Sequence, residues 1–289
     1  MQIRSLLFVP GDSRRKFDKA RQSGADVLIL DLEDSVALGQ KESARQVTAA
    51  MLKEARGGQR LFVRVNSLDS GLHLQDLAAV MPCQPDGIVL PKSESGGDVR
   101  RLGFYLDAFE VSHGQVPGLT RILAIVTETA NSIAGLSTYV NCSTRLWGML
   151  WGGEDLSADL GAYGNRHEGR YAGPYQMARN ACLVGARAAG VKPIDAVYTD
   201  VKNMQGLRAE ADEAKFDGFT AKAVIHPAHV DVVNAAFSPD EHEIAWAMRI
   251  VQAFRDSPEA GVVNIDGKMI DRPHLLQANR VLALPVDSN

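Results

Sequence analysis

The sequence predicts an α/β fold: a (β/α)8 barrel followed by a small C-terminal lid segment. Three observations carry this. Short apolar runs rich in Val, Ile and Leu alternate with stretches of helical character, the signature of βα units. The runs are apolar throughout, as strands of a parallel sheet covered on both faces are. Eight such units fit the ordinary barrel length of ~250 residues. A doubly wound open sheet is the other arrangement. The lack of a G-x-G-x-x-G after the first strand weighs against its dinucleotide-binding version.

The elements follow in order. A strand at Ile3–Val9 leads through Asp12-Ser13, an expected N-cap, into a helix at Arg14–Gln22 that stops near Gly24. Strands at Val27–Leu30, Leu61–Val65, Gly87–Leu90 and Ile122–Val126 are followed by helices at Glu42–Arg56, Leu72–Val80, Val99–Ser112 and Ser132–Tyr139. The strand at Leu146–Leu150 precedes a helix at Pro174–Ala189, ended by Gly190. Ile194–Tyr198, a helix at Asn203–Phe216 and a strand at Phe219–Ile225 complete the barrel. The domain division is 1–238 for the barrel and 239–289 for the lid. In the lid, a helix at Glu241–Phe254, a hairpin turn at Asp266-Gly267 and a helix at Pro273–Leu282 are expected. That segment is too short for a core of its own, which predicts packing on the barrel or on a neighbouring subunit.

Composition narrows the function classes. Of 289 residues, 45% are hydrophobic, which excludes a disordered chain. Lys and Arg number 31 against 35 Asp and Glu, so no nucleic-acid footprint is present. The longest apolar runs are strand-length, which predicts no membrane span. The N-terminus lacks a signal peptide's apolar stretch and cleavage site. Cys83, Cys142 and Cys182 are scattered and odd in number, so a reduced, cytoplasmic compartment is expected.

Function in a barrel collects where strands end. Charged residues recur there: Asp31, Glu33 and Asp34 after the second strand, Arg64 in the third, Lys92 after the fourth, Glu128 after the fifth, Glu154 and Asp155 after the sixth, and Lys222 with His226 around the last. Glu128 and Asp155 follow adjacent strands and can converge. Two such carboxylates repel unless a cation or a proton lies between them. An oxygen-only set suits Mg²⁺, or Mn²⁺, better than Zn²⁺. Asp31, Glu33 and Asp34 are then expected as a second layer that orients the ion's waters. Arg64 is expected to clamp a carboxylate or an oxyanion, or to pair with one of these acids. Gly153 and Glu154 belong to a Gly-Gly-Glu-Asp stretch whose free N–H groups suit a substrate carboxylate. Arg14 and its basic neighbours in the first loop and helix suit the phosphates of an anionic cofactor, or form a solvated face. His226, before Pro227, is expected to cap or pack rather than to ligate.

These motifs carry a resemblance. Arg4-Ser5-Leu6-Leu7-Phe8-Val9-Pro10-Gly11, Leu30-Asp31-Leu32-Glu33-Asp34-Ser35-Val36, Phe62-Val63-Arg64-Val65-Asn66, Gly152-Gly153-Glu154-Asp155-Leu156, Pro193-Ile194-Asp195, Ile225-His226-Pro227 and Gly267-Lys268-Met269-Ile270-Asp271 occur in this order. Together they resemble the citrate lyase β-subunit-like and malyl-CoA lyase group of the HpcH/HpaI aldolase superfamily, over nearly the whole chain. The resemblance implies a Mg²⁺-dependent barrel enzyme, a homotrimer or hexamer, that splits a 3-hydroxyacyl-CoA into acetyl-CoA and a 2-oxoacid. Citramalyl-CoA, malyl-CoA and citryl-CoA are the substrates it suggests. It implies Glu128 and Asp155 as metal ligands and Arg64 beside the reacting carbonyl. It also implies Phe8 and Lys19 in contact with the CoA moiety of the thioester substrate, and Asp271 as an acid that the lid carries over a neighbouring subunit's site. A malyl-CoA-type thioesterase, a CoA-free 2-oxoacid aldolase and a citrate lyase β subunit acting on a carrier-bound acyl group remain open beside it.

Overall fold

The computed structural model describes residues 2–54 and 57–282. The chain divides into two compact units, Met1–Phe237 and Ser238–Asn289.

The first unit is a closed barrel of eight parallel strands. Strand β1 (Ser5–Pro10) is followed by helix α1 (Arg14–Arg21), and β2 (Val27–Asp31) by α2 (Lys41–Leu52). Next come β3 (Arg60–Arg64), α3 (His73–Val80), β4 (Gly87–Leu90) and α4 (Gly96–Ser112). Strand β5 (Arg121–Val126) leads to α5 (Ala130–Ala134), and β6 (Leu146–Trp151) to α6 (Glu154–Asp159). A two-stranded ribbon, β7 (Arg166–His167) and β8 (Arg170–Tyr171), precedes α7 (Gly173–Ala188). Strand β9 (Lys192–Asp195), α8 (Met204–Asp217), β10 (Ala221–Val224) and α9 (Val230–Phe237) finish the unit. The strands run around the barrel as β1, β2, β3, β4, β5, β6, β9, β10, and β10 pairs back onto β1.

All eight predicted barrel strands are present. The helix predicted at Ser132–Tyr139 is instead the short α5 followed by a 3-10 turn at Leu136–Tyr139. The expected end of α2 at Arg56 falls outside the described residues. Ser13 takes the N-cap position of α1, but its side chain makes no cap bond. Three elements went unpredicted. Helix α6 is polar, the β7–β8 ribbon has only two residues a side, and α9 reads as a continuation of the last apolar run.

Strand period places the site. Leu6, Ile29, Phe62, Val89, Leu123, Ile125, Leu150, Ile194, Ala221 and Ala223 fill the barrel interior. Two residues on from Leu6, Ile29 and Phe62, the same inward alternation sets Phe8, Asp31 and Arg64 at the C-terminal mouth.

The second unit contains α10 (Glu241–Asp256), the hairpin β11 (Val262–Ile265) and β12 (Lys268–Asp271), and α11 (Arg272–Val281). Asp266 and Gly267 both have positive φ, 51° and 79°, as a type I′ hairpin turn requires. One expectation is corrected here. This segment has an apolar cluster of its own, with Ala247, Ile250, Val251 and Phe254 of α10 against Ile265, Ile270 and Ala278. The hairpin supplies the third surface that two amphipathic helices lack. Among the described residues no helix is long and apolar enough to cross a membrane.

Candidate active site

A cavity of about 430 Å³ opens at the C-terminal mouth of the barrel. Its polar lining is Asp31, Asp34, Arg64, Glu128, Glu154 and Asp155. Its apolar lining includes Phe8, Ile125, Leu150, Trp151, Val197 and Ile225. Gly152, Gly153 and Tyr171 also border it.

Arg64 is fixed on all sides. Its Nε and Nη2 donate to Asp31 Oδ1 and Oδ2, both at 2.7 Å. Its Nη1 lies 3.0 Å from Glu33 Oε2, and its guanidinium stands over the Phe8 ring, 5.0 Å from the centroid. Burial opposes its charge, but Asp31, Glu33 and Asp34 outweigh this and hold its pKa above the ordinary arginine value. Asp31 moves the opposite way. Burial favours its neutral form, and the Arg64 charge overrides that and keeps the carboxyl below its usual range.

Glu128 is buried and sits just past β5, behind Thr127, a β-branched residue held at a left-handed φ of 67°. Its Oε2 accepts the backbone N–H of Lys92. Burial, then the charges of Asp155 and Glu33, push its pKa up to about 8. Gly152 leaves room for it: a Cβ there would stand 2.6 Å from Glu128 Cγ. Asp155 lies in the first turn of α6 and is one-third exposed.

Lys92 has a place that sequence reasoning left without a role. Its φ of 49° turns the chain at the end of β4. Its Nζ lies 2.7 Å from Glu33 Oε1, 3.3 Å from Asp155 Oδ1 and 3.8 Å from Asp34 Oδ1. Burial works to lower its pKa, but the hydrogen bond and charge of Glu33, with Asp155 and Asp34, raise it. Its position after an apolar strand was the only available signal, because neither the turn nor its partners are local in sequence.

The barrel mouth therefore brings together Phe8, Asp31, Glu33, Asp34, Arg64, Glu128 and Asp155. Asp31 holds Arg64, the pairing with one of these acids that the sequence allowed, and Glu33 is shared between Arg64 and Lys92. Glu154 accepts a hydrogen bond from Asn165 Nδ2 at 2.7 Å, and Gly153 is the N-cap of α6. Arg14 and Lys19 do not line the cavity. They stand exposed on α1, where Arg14 pairs with Asp18 at 2.9 Å and with Glu54. His226 caps the 3-10 turn after β10, accepting from the Ala228 N–H. Asp271 belongs to the second unit, at the N-cap of α11, 2.5 Å from His274 Nδ1.

Sequence reasoning also missed the polar layer outside β9 and β10. Asp195 accepts from Trp151 Nε1, Lys222 Nζ and Arg179 Nε. The fully buried Lys222 also donates to Glu210, which pairs with Arg166. Arg166 in turn stacks 3.7 Å from the centroid of Tyr171. This chain of charges ties the ribbon that carries Tyr171 to the barrel.

Among the described residues no three His, Cys, Asp or Glu side chains form a metal cage. Glu128 and Asp155 nonetheless fit an ion of the Mg²⁺ kind, which takes one or two carboxylates and completes its shell with water and substrate oxygens. Burial of Glu128, and after it the charges of Asp155 and Glu33, favour a proton or a cation at this carboxylate.

Comparison with known proteins gives consistent matches. Residues 4–227 match the model of the HpcH/HpaI aldolase/citrate lyase family, and residues 171–285 match the C-C bond lyase of the TIM-barrel fold. A (3S)-malyl-CoA thioesterase of Cereibacter sphaeroides is 35% identical, over 97% of this chain and 94% of the relative. The citrate lyase subunit beta of Escherichia coli is 34% identical, over 97% and 92%. The crystal structure of CitE from Mycobacterium tuberculosis in complex with magnesium, acetoacetate and coenzyme A superposes with a TM-score of 0.80 at 31% identity. It covers 98% of this chain and 97% of that one.

Proposed function

This chain belongs to the HpcH/HpaI aldolase/citrate lyase family and is a lyase, and we propose that it cleaves, or in reverse forms, a 3-hydroxyacyl-CoA such as citramalyl-, malyl- or citryl-CoA, with acetyl-CoA and a 2-oxoacid as the other side of the reaction. The observation that carries this is that Arg64, Glu128 and Asp155 line one largely apolar cavity at the barrel mouth. The relatives support it: one solved structure has magnesium, acetoacetate and coenzyme A together.

Glu128 and Asp155 would hold Mg²⁺. When bound, the ion supplies Lewis-acid polarisation of the substrate's hydroxyl and carboxylate oxygens. Arg64 stabilises the negative charge on the thioester oxygen once the carbon–carbon bond has broken. Its rigid fixation by Asp31 and Glu33 means no reorganisation at that moment. The free N–H groups at Gly153 and the start of α6 receive the substrate carboxylate. Phe8 borders the thioester end, and Arg14 and Lys19 lie outside the cavity, where only an extended CoA reaches. Asp271 delivers to the acetyl carbon the proton that the substrate hydroxyl gives up as the carbon–carbon bond breaks, or carries it the other way in the condensing direction. We assign it to the site of a neighbouring subunit in a homotrimer or hexamer, with the second unit as the lid.

The thioesterase relative supports a second reading, in which the same site directs water at the thioester carbonyl. One assay separates the two. With Mg²⁺ and each of the three CoA esters, oxoacid and free thiol are followed separately. Oxoacid without free thiol is the expected result. Free thiol without oxoacid establishes the hydrolase. Turnover only on a carrier-bound acyl group assigns the chain to a complex, and turnover only of free 2-oxoacid aldols removes CoA from the reaction.

A further inference from the structure

Lys92 touches more of the cavity's charge than its place after β4 suggests. Its backbone N–H donates to Glu128, and its ammonium lies 3.3 Å from Asp155. One residue thus reaches both carboxylates assigned to the metal ion, one through the main chain and one through the side chain. Its firmest side-chain contact is a third acid, Glu33, at 2.7 Å. Glu33 is itself buried and shared with Arg64. The left-handed backbone at Lys92 makes this double reach possible, because it turns the N–H toward β5 while the side chain runs across the mouth.

We propose that the Lys92 ammonium is a resident counter-cation of this acid cluster, and that a divalent ion must displace it from Asp155 to bind. This rests on the reading of Glu128 and Asp155 as metal ligands. The argument is electrostatic. A divalent cation held by Asp155 would stand close to the ammonium that faces its Oδ1, and the two positive centres repel. Glu33, at 2.7 Å, offers the ammonium a place to stay, so the lysine shifts toward Glu33. Without an ion, the same ammonium limits the repulsion among Glu33, Asp34 and Asp155. The lysine therefore weakens the ion's binding.

A purely structural lysine predicts the opposite sign. If Lys92 only props the acids in position, its removal loosens them and metal binding weakens. The test is calorimetric titration of Mg²⁺ alone into the full chain, at about pH 9 so that Glu128 is ionised. Wild type, Lys92→Met and Lys92→Arg are compared. The Met variant is expected to bind roughly fivefold to tenfold more tightly, and the Arg variant within about twofold of wild type. Equal or weaker binding by the Met variant overturns the proposal. If the Met variant does not fold, Lys92→Gln removes the same charge and keeps a polar head. Failure of wild type to bind Mg²⁺ at all would sink the metal reading of Glu128 and Asp155 first, and that result is distinct from a wild type that binds beside a Met variant that does not bind more tightly.

Discussion

Asp31 and Arg64 are register partners on adjacent strands, and their side chains close a two-bonded ion pair at 2.7 Å over the barrel interior. The pairing follows from strand period: each lies two residues beyond an interior side chain, Ile29 and Phe62. The fork geometry of the guanidinium matters more than its charge. Arg64→Lys keeps the charge and loses the fork, and is expected to lower kcat by roughly 10²–10³-fold. Mg²⁺ affinity measured on the same preparation should stay near wild type. A matching fall in metal affinity would mean that Arg64 acts on the carboxylates rather than on the substrate.

The same pair bears on stability. Asp31→Ala leaves a buried guanidinium with Glu33 at 3.0 Å and the more distant Asp34 at 3.7 Å, and loss of one member of a buried pair costs about 3 kcal/mol. Urea unfolding is the measurement. A change below about 0.5 kcal/mol would show that Glu33 and water replace Asp31 fully.

The barrel was legible because its strands are uninterrupted apolar runs, and a parallel sheet covered on both faces demands that pattern. The acids and Arg64 were legible because barrel chemistry gathers at strand ends. Which acid Arg64 takes, and the hold of Lys92 on Glu33, were not. They depend on the β2–β3 register and on the left-handed turn at Lys92, neither of which any local pattern encodes. The Asp195–Lys222–Glu210–Arg166 chain was hidden for the same reason. Its members come from β9, β10, α8 and the β7–β8 ribbon, and although Lys222 stands out within an apolar strand, no local pattern names its partners. The core of the second unit was not legible because the hairpin turn is a local signal, whereas the packing of Ile265 and Ile270 against α10 and Ala278 is not.

Lys222 gives a direct test of that hidden chain. It is fully buried between Asp195 and Glu210, at 2.7 and 2.8 Å. Lys222→Met leaves two carboxylates short of a partner and is expected to destabilise by about 3 kcal/mol. That corresponds to a fall in Tm of roughly 6–12 °C in a chain of this size. An unchanged melting temperature would show that Arg179 and Arg166 carry the network alone.

Gly152 is a steric test of the proposed metal ligand. An added Cβ would stand 2.6 Å from Glu128 Cγ, so the glutamate must move. Gly152→Ala is expected to weaken Mg²⁺ binding about tenfold or more while circular dichroism stays native. Gly185→Ala is the control, because its nearest neighbour is a methionine methyl at 3.5 Å, an ordinary contact.

Glu128 should also leave a mark on stability against pH. Its pKa of about 8 in the folded chain lies above the ordinary value of 4.5 that it regains on unfolding. Between these values the folded state holds a proton that the unfolded state has released. Stability of the metal-free protein from this group therefore falls as pH rises from about 4.5 to about 8, and levels off above that. Asp31, Glu110 and Asp195 have lowered values, so the stability they add is already complete at the start of this window. His73 and His229, lowered chiefly by burial, act in the opposite sense within it. The comparison must therefore be a difference. Urea unfolding in the presence of a chelator, for wild type and Glu128→Gln between about pH 5 and pH 8, isolates the glutamate. The variant is expected to gain stability relative to wild type as pH rises. A difference that stays constant across the window would mean that Glu128 titrates as an ordinary carboxylate, with the cations Lys92 and Arg64 offsetting its burial.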